Sequence, residues 1–272
     1  PSSASVDANT PTITGASASP TTGRRKVGDM VTVTLTVDDG ATDTGMLAGT
    51  ASATTVNGVA ATGFADNGDA TYSYTYTVVE GHTDRAADAL PVSLTVKDPA
   101  GNEVSPFTSL TGGSASIDAN TPTITSISAS PSSGRRKVGE TIAITVTVDD
   151  GATDSGLSAT TATFNGVAGT SFTDGGDGTY TWTYTVVEGH TDRSANSIPV
   201  SVVLTDPSGN SNSQYTSSPS SASVDANTPT ITGASASPTT GRRKVGDTVT
   251  VTLTVDDGAT DTGMLAGTAS AT

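Results

Sequence analysis

The feature that most constrains this chain is that it repeats itself. Residues 219–272 match residues 1–54 with one difference, Met30 against Thr248. A shorter cycle lies inside that match. Ser-Val-Asp-Ala-Asn-Thr-Pro-Thr-Ile-Thr begins at Ser5, recurs from Ser116 with Ile117 in place of valine, and returns at Ser223. The aspartates of this segment, Asp7, Asp118 and Asp225, are spaced by 111 and 107 residues. Such self-similarity marks a tandem array in which each unit builds the same supersecondary structure. Cut at those aspartates, the chain comprises the end of a preceding repeat (1–6), two full repeats (7–117 and 118–224) and an incomplete repeat (225–272).

Within a repeat the hydrophobic period is two. Val31, Val33, Leu35 and Val37 alternate with threonines, and Ile142, Ile144, Val146 and Val148 do the same in the second repeat. Tyr72, Tyr74, Tyr76 and Val78 correspond to Tyr180, Trp182, Tyr184 and Val186; Leu90, Val92, Leu94 and Val96 correspond to Ile198, Val200, Val202 and Leu204. Each run predicts a half-buried strand with one face inward. Turn formers separate the runs, as in Asp-Asp-Gly, Val-Asn-Gly-Val and Asp-Pro-Ala-Gly-Asn, and no segment sustains a helical period. About seven short strands in ~110 residues predict an all-β fold of tandem Ig-like β-sandwiches arranged head to tail. The strands are placed near Ile13, at Val31–Val37, near Ala51–Val56, at Val59–Phe64, at Tyr72–Val78, at Leu90–Val96 and up to Ile117.

Composition narrows the possible partners. Lys+Arg total 12 against 27 Asp+Glu, a net charge of −15, which excludes nucleic acid because nothing could neutralise a run of phosphates. There is no cysteine, hence neither a disulfide nor a thiolate metal site. No apolar run reaches the ~20 residues of a membrane span in this segment.

Asp-Ala-Asn-Thr-Pro-Thr-Ile-Thr at the head of each repeat, with Asp98–Asn102 (Asp-Pro-Ala-Gly-Asn) or Asp206–Asn210 (Asp-Pro-Ser-Gly-Asn) before the last strand, resembles the bacterial Ig-like repeats of giant surface adhesins. That resemblance covers essentially the whole chain. It implies an extracellular, cell-surface location and calcium bound at domain junctions.

The acidic residues fit this expectation. In an Ig-like sandwich the start of the first strand and the loops after the second and sixth strands share one end. The first repeat would gather Asp7, Asp38, Asp39, Asp43, Asp98 and Asn102 there; the second Asp118, Asp149, Asp150, Asp154, Asp206 and Asn210; the third Asp225, Asp256, Asp257 and Asp261. Carboxylates held so close repel unless a cation or proton intervenes. An oxygen-only donor set suits Ca²⁺. The competing reading of each aspartate is an ordinary turn former that caps its own backbone.

The cations are concentrated at the opposite end, in a Gly-Arg-Arg-Lys-Val-Gly loop. Arg24, Arg25 and Lys26, Arg135, Arg136 and Lys137, and Arg242, Arg243 and Lys244 make up nine of the 12. The expectation is that these loops orient the junction with the neighbouring repeat or contact another chain; the alternative is a solvated hairpin. Glu-Gly-His-Thr-Asp-Arg, at Glu80–Arg85 and Glu188–Arg193, reads as a structural loop held by Asp84–Arg85 and Asp192–Arg193 contacts. It lacks a nucleophile and a second histidine. The chain therefore reads as a non-enzymatic extender whose partners are neighbouring repeats and whose junctions are stiffened by Ca²⁺. A filament or sheath subunit joined by chain–chain contacts, and a glycan- or surface-binding module using Trp182 or the threonine faces, are the alternatives.

Overall fold

The computed structural model describes residues 6–40, 45–151 and 156–258. The described residues form an all-β fold. Among them no helix is long and apolar enough to cross a membrane.

In the first repeat, Thr12–Ser19, Met30–Asp38, Thr71–Thr77 and Thr62–Gly68 lie side by side in that order. This is the A-B-E-D sheet of an Ig-like sandwich. The facing layer is made of shorter pieces: Val59–Ala60, Thr55–Val56 and Val92–Ser93 in one group, Leu47–Ala48 with Val96–Lys97 in another. The alternation seen in the sequence sets the register. Val31, Val33 and Leu35 pair with Tyr76, Tyr74 and Tyr72, and all six side chains are buried in the layer between the sheets.

A core this poor in aromatics works because each tyrosine is used twice. Its ring fills the layer, and its hydroxyl reaches the opposite side. The Tyr72 hydroxyl accepts Met46 N–H at 3.2 Å. That of Tyr74 accepts Gly49 N–H at 2.9 Å and donates to Thr95 O at 2.9 Å. That of Tyr76 accepts Asn57 Nδ2–H at 2.9 Å.

The segments expected as continuous strands near Ala51–Val56 and at Leu90–Val96 are interrupted. Between the equivalent buried residues Met46 and Leu157 and the turn asparagines Asn57 and Asn165, the first repeat carries three residues more than the second. The extra length forms a turn, in which Thr50 O accepts both Ala53 and Thr54 N–H. The facing strand then changes partner, from Thr55–Val56 to Leu47–Ala48. Gly49 lies so close that an added Cβ would come 2.5 Å from Thr95 O. Without the insertion, the second repeat keeps Ser158–Phe164 and Val200–Thr205 as whole strands of one sheet.

The second repeat otherwise repeats the design. Thr123–Ser130, Thr141–Asp149, Thr179–Thr185 and Thr170–Asp174 form its four-stranded sheet, with Ile142, Ile144 and Val146 opposite Tyr184, Trp182 and Tyr180. Trp182 is 2% exposed and packs on Phe164 and Phe172. It is therefore core, not a platform for a sugar. In the third repeat Thr230–Ser237 pairs with Thr250–Asp256.

The basic segments differ from a simple loop. Arg24–Arg25 is a short strand pairing in parallel with Ser116–Ile117, and Arg135–Arg136 pairs likewise with Ser223–Val224. These two basic segments are thus tied to the chain that leads into the following repeat.

Compactness divides the chain into two units. One comprises Pro1–Thr123, Asp149–Ser158 and Leu204–Ser213; the other comprises Ile124–Val148, Ala159–Val203 and Gln214–Thr272. The acidic loops of the second repeat, around Asp149–Asp150 and Asp206–Asn210, belong to the first unit.

Candidate functional site

The acidic end of the first repeat is built mostly by turns that satisfy themselves. Asp7 Oδ1 accepts Asn9 N–H at 3.0 Å, and Asp38 Oδ1 accepts Gly40 N–H at 3.1 Å. Asp98 is fully buried. Its Oδ1 accepts Gly101 and Asn102 N–H at 2.7 and 2.8 Å, and its Oδ2 accepts Asn102 Nδ2–H at 2.7 Å. Burial alone would raise the Asp98 pKa, but these donors outweigh it and hold the carboxyl below its ordinary range. For these three residues the turn-former reading describes the geometry.

Asp39 is different. It is 7% exposed, and neither carboxylate oxygen has a hydrogen-bond partner among the described residues. Its pKa is raised, first by burial and then by repulsion from Asp98, Asp7 and Asp38. A charge placed this way is costly unless a counter-charge joins it. The sequence contained the signal. Asp39 continues the inward set Val31, Val33, Leu35, Val37 by one more step of two, whereas Asp38 falls on the outward phase. Asp150 extends the equivalent set of the second repeat and is 6% exposed.

Among the described residues, no three His, Asp or Glu side chains converge in an arrangement able to hold a metal ion. Asp43, Asp154 and Asp261 lie outside the described residues. Asp149, Asp225 and Asp256 each accept a backbone N–H two residues on, from Gly151, Asn227 and Gly258. Asp257 is half-buried.

In the second repeat's acidic loops the cations arrive. Asp206 repeats the role of Asp98, its Oδ1 accepting Ser208, Gly209 and Asn210 N–H at 2.7, 2.7 and 2.9 Å. Within the same compact unit, Arg24 Nη1 is 3.7 Å from Asp118 Oδ2 and donates to Ser208 Oγ at 3.1 Å. The Ser208 hydroxyl donates to Asp118 Oδ2. Lys26 Nζ donates to Gly209 O at 3.0 Å, and Val27 N–H donates to Asn210 Oδ1 at 2.9 Å. Arg25 contributes through its backbone, its carbonyl accepting Asp118 N–H at 2.8 Å.

In the other unit Arg135 Nη1 is 3.4 Å from Asp225 Oδ2, and Arg136 Nη1 is 3.8 Å from Glu140 Oε2. Lys137 N–H also donates to Glu140, at 3.1 Å. Arg242, Arg243 and Lys244 are exposed; Arg243 Nη2 donates to Thr240 O at 2.9 Å.

The Glu-Gly-His-Thr-Asp-Arg segments do something the sequence did not reveal. The expected Asp84–Arg85 contact is replaced by two separate partnerships. Arg85 Nε donates to Asn57 Oδ1 at 2.7 Å. Asp84 instead grips the start of the following repeat, accepting Ala119 N–H at 2.7 Å and Asn120 Nδ2–H at 2.6 Å. Glu80 accepts Thr121 N–H at 3.1 Å and the Thr121 hydroxyl at 2.5 Å. Asp192 and Glu188 hold Ala226, Asn227 and Thr228 in the same way. His82 Nδ1 is hydrogen-bonded to the Tyr76 hydroxyl at 3.1 Å. These side chains form a clasp on the linker.

The clasp carries a pH signature. The hydroxyl and then the amide of Thr228 hold the Glu188 carboxyl below its ordinary range. A carboxyl depressed in the folded state adds stability above its unfolded pKa, about 4.3. That contribution is lost as pH falls through the lower folded value. Carboxyl-carbon NMR titration should place the Glu188 midpoint below about 4.3. A midpoint at or above it would show that the clasp is not formed in solution.

No protein-family model and no curated protein matches the chain. Among solved structures it is similar to Yersinia pseudotuberculosis InvD, at 14% identity over 82% of this chain and 62% of that one, with a TM-score of 0.29. It is also similar to the Yersinia pseudotuberculosis adhesin InvE, at 15% identity over 76% and 58%, TM-score 0.27. A third is invasin, a bacterial integrin-binding protein, at 19% identity over 81% and 41%, TM-score 0.27. The chain thus spans 41–62% of the length of these three. Likenesses this distant carry no argument about ligand or activity; the Ig-like assignment rests on the strand order and register described above.

Proposed function

We propose that this chain is a non-enzymatic extender segment of a large bacterial cell-surface adhesin, and that its acidic ends take up calcium which stiffens the junctions. The extender reading is supported by repetition. The same linker, clasp and basic segment recur in each full repeat, and the carboxylates and histidines of the Glu-Gly-His-Thr-Asp-Arg segments are spent on holding the chain. Glu80, Asp84, Glu188 and Asp192 bind linker groups, and both histidines bond core tyrosines.

The calcium reading is carried by one observation, the buried Asp39 carboxylate with no hydrogen-bond partner among the described residues. It supplies a hard, anionic oxygen donor where repulsion from Asp7, Asp38 and Asp98 favours a cation. Asp7, Asp38 and Asp98 are the carboxylates whose negative charge such an ion would offset. Bound there, the ion would neutralise the cluster and link the residues entering the repeat to the loop after Met30–Asp38.

Melting the chain in calcium and in chelator tests this. Extracellular sites bind Ca²⁺ at ~10⁻⁴–10⁻³ M, so about 10 mM calcium should stabilise each site by roughly 1.4–2.7 kcal/mol. Asp39→Asn should lower the number of ions bound in a calorimetric titration by one, without loss of stability in chelator. Identical melting of the unaltered chain in the two conditions would overturn the calcium reading.

A further inference from the structure

Three Asn-Gly pairs occur in the chain, at Asn57, Asn67 and Asn165, and their surroundings differ sharply. We infer that Asn67 is a self-modification site, at which the chain cyclises through the following amide to a succinimide, releases ammonia and takes up water to become aspartate or isoaspartate. This goes beyond the extender and calcium readings and depends on neither.

The local structure sets Asn67 apart. It lies in the edge strand Thr62–Gly68, where Asp66 pairs with Tyr72 and Gly68 with Thr71, and the register shifts between those two pairs. A residue at such a shift is left out of the ladder. Asp66, Asn67 and Gly68 are all exposed. Two hydrogen bonds bear on the atoms that would react. Gly68 N–H donates to Asp66 Oδ1 at 2.9 Å, and the Ser73 hydroxyl donates to Asn67 Oδ1 at 3.1 Å. The first sets a carboxylate base on the nucleophile, and the second sets a donor on the carbonyl it attacks. Gly68 has no side chain to obstruct the approach.

The reaction needs only water. Gly68 N gives its proton to Asp66 and bonds to Asn67 Cγ, while negative charge gathers on Oδ1 against the Ser73 hydroxyl. Collapse breaks the Cγ–Nδ2 bond. The departing nitrogen recovers the proton through solvent and leaves as ammonia. Water then opens the ring. Attack at Cγ breaks its bond to Gly68 N and leaves aspartate; attack at the main-chain carbonyl of Asn67 leaves the chain running through the side chain, as isoaspartate. Either product adds a negative charge to a turn that already holds Asp66 and Asp69. Isoaspartate also lengthens the backbone by a methylene within an edge strand. Conversion accumulates with the age of the chain.

The other Asn-Gly pairs are held shut. Asn57 and Asn165 are 4% and 6% exposed. Each commits Nδ2 to a tyrosine hydroxyl and a main-chain carbonyl, and Oδ1 to an arginine. Loss of that nitrogen would break two hydrogen bonds in a place that excludes water. The second repeat keeps half of the arrangement at the turn equivalent to Asn67. Gly176 N–H donates to Asp174 Oδ1 at 2.8 Å, but Gly175 stands where the first repeat has asparagine. Nucleophile and base recur there without the electrophile.

Peptide mapping by mass spectrometry of the full chain, incubated in mildly alkaline buffer with and without concentrated urea, tests this. In buffer Asn67 should convert at least about fivefold faster than in urea, where both hydrogen bonds are lost. Its peptide should separate into aspartate and isoaspartate forms, while Asn57 and Asn165 convert only in urea. Ser73→Ala and Asp66→Ala should each slow Asn67 roughly two- to tenfold, the worth of one hydrogen bond in rate. Both variants should keep the melting temperature, because neither side chain belongs to the core. Conversion at Asn67 no faster in buffer than in urea overturns the inference. Rates that neither variant changes, or equal conversion of all three asparagines in the folded chain, also overturn it.

Discussion

Asn57→Ala is expected to destabilise the first repeat by about 4.5–7 kcal/mol, a large share of the 5–15 kcal/mol that holds an ordinary domain. Asn57 is 4% exposed and is a hub. Its Nδ2 donates to the Tyr76 hydroxyl at 2.9 Å and to Thr83 O at 2.8 Å, while its Oδ1 accepts Arg85 Nε–H at 2.7 Å. Arg85 is in turn paired through its backbone with Ile117, so the hub joins a turn, a core strand and the last strand. Alanine would remove two neutral hydrogen bonds at ~1 kcal/mol each and one to a charged donor at ~1.5–3 kcal/mol.

The backbone adds a further term. Asn57 has φ of 55°, a left-handed conformation that costs alanine roughly 1–2 kcal/mol. Asn57→Gly separates the two contributions, since it keeps the backbone conformation and loses only the hydrogen bonds. Urea unfolding of both variants measures them, and the intact Asn165 hub of the second repeat, with the same partners at 2.9, 2.8 and 2.7 Å, serves as an internal reference. A loss under about 1 kcal/mol in both variants, no more than one ordinary hydrogen bond, would show that the hub is dispensable.

The second large effect is expected at the linker. Asp84→Ala removes both acceptors for Ala119 N–H and Asn120 Nδ2–H, and Ala119 is fully buried. An amide left unsatisfied there costs ~1–3 kcal/mol, which corresponds to a fall of roughly 5- to 150-fold in the exchange protection of Ala119. The sandwich itself should stay folded, because Asp84 is not part of its core. Hydrogen exchange resolved by residue, with backbone relaxation across residues 119–122, distinguishes a released linker from a destabilised repeat. On the proposed extender role this is the variant with mechanical consequence, since the clasp holds the segment through which one repeat continues into the next. Unchanged protection at Ala119 and Thr121 would remove the clasp from the account.

How much of this was legible in the sequence depended on the range of the interactions. Strand positions followed from the alternation of Val31–Val37 and Tyr72–Val78 because a side chain's face is set by its own parity. The same parity extended to Asp39, yet turn chemistry hides it: Asp38 and Asp39 are identical as residue types, and only depth separates a capped surface carboxylate from a buried uncompensated one. Asn57 had the signature of an ordinary Asn-Gly turn. Its second role, in which one amide serves three partners, needs Tyr76, Thr83 and Arg85 brought together from elsewhere in the repeat. The interruption opposite Thr95 was missed because three inserted residues change which strand lies alongside, a matter of pairing between distant segments.

By itself, then, the sequence determined the array, the all-β class and the inward face of each strand, since repetition and parity are properties of the chain taken in order. It also showed that most of the cations fall in one recurring Gly-Arg-Arg-Lys-Val-Gly segment. Tertiary structure decided which of those charges matter. It buried Asp39 without a hydrogen-bond partner among the described residues, set Arg24 and Lys26 against Asp118 and Gly209, and turned Glu80 and Asp84 onto the linker. The physical reason is that the energy of a charged group depends on its depth and on partners far away in sequence, neither of which the order of residues contains.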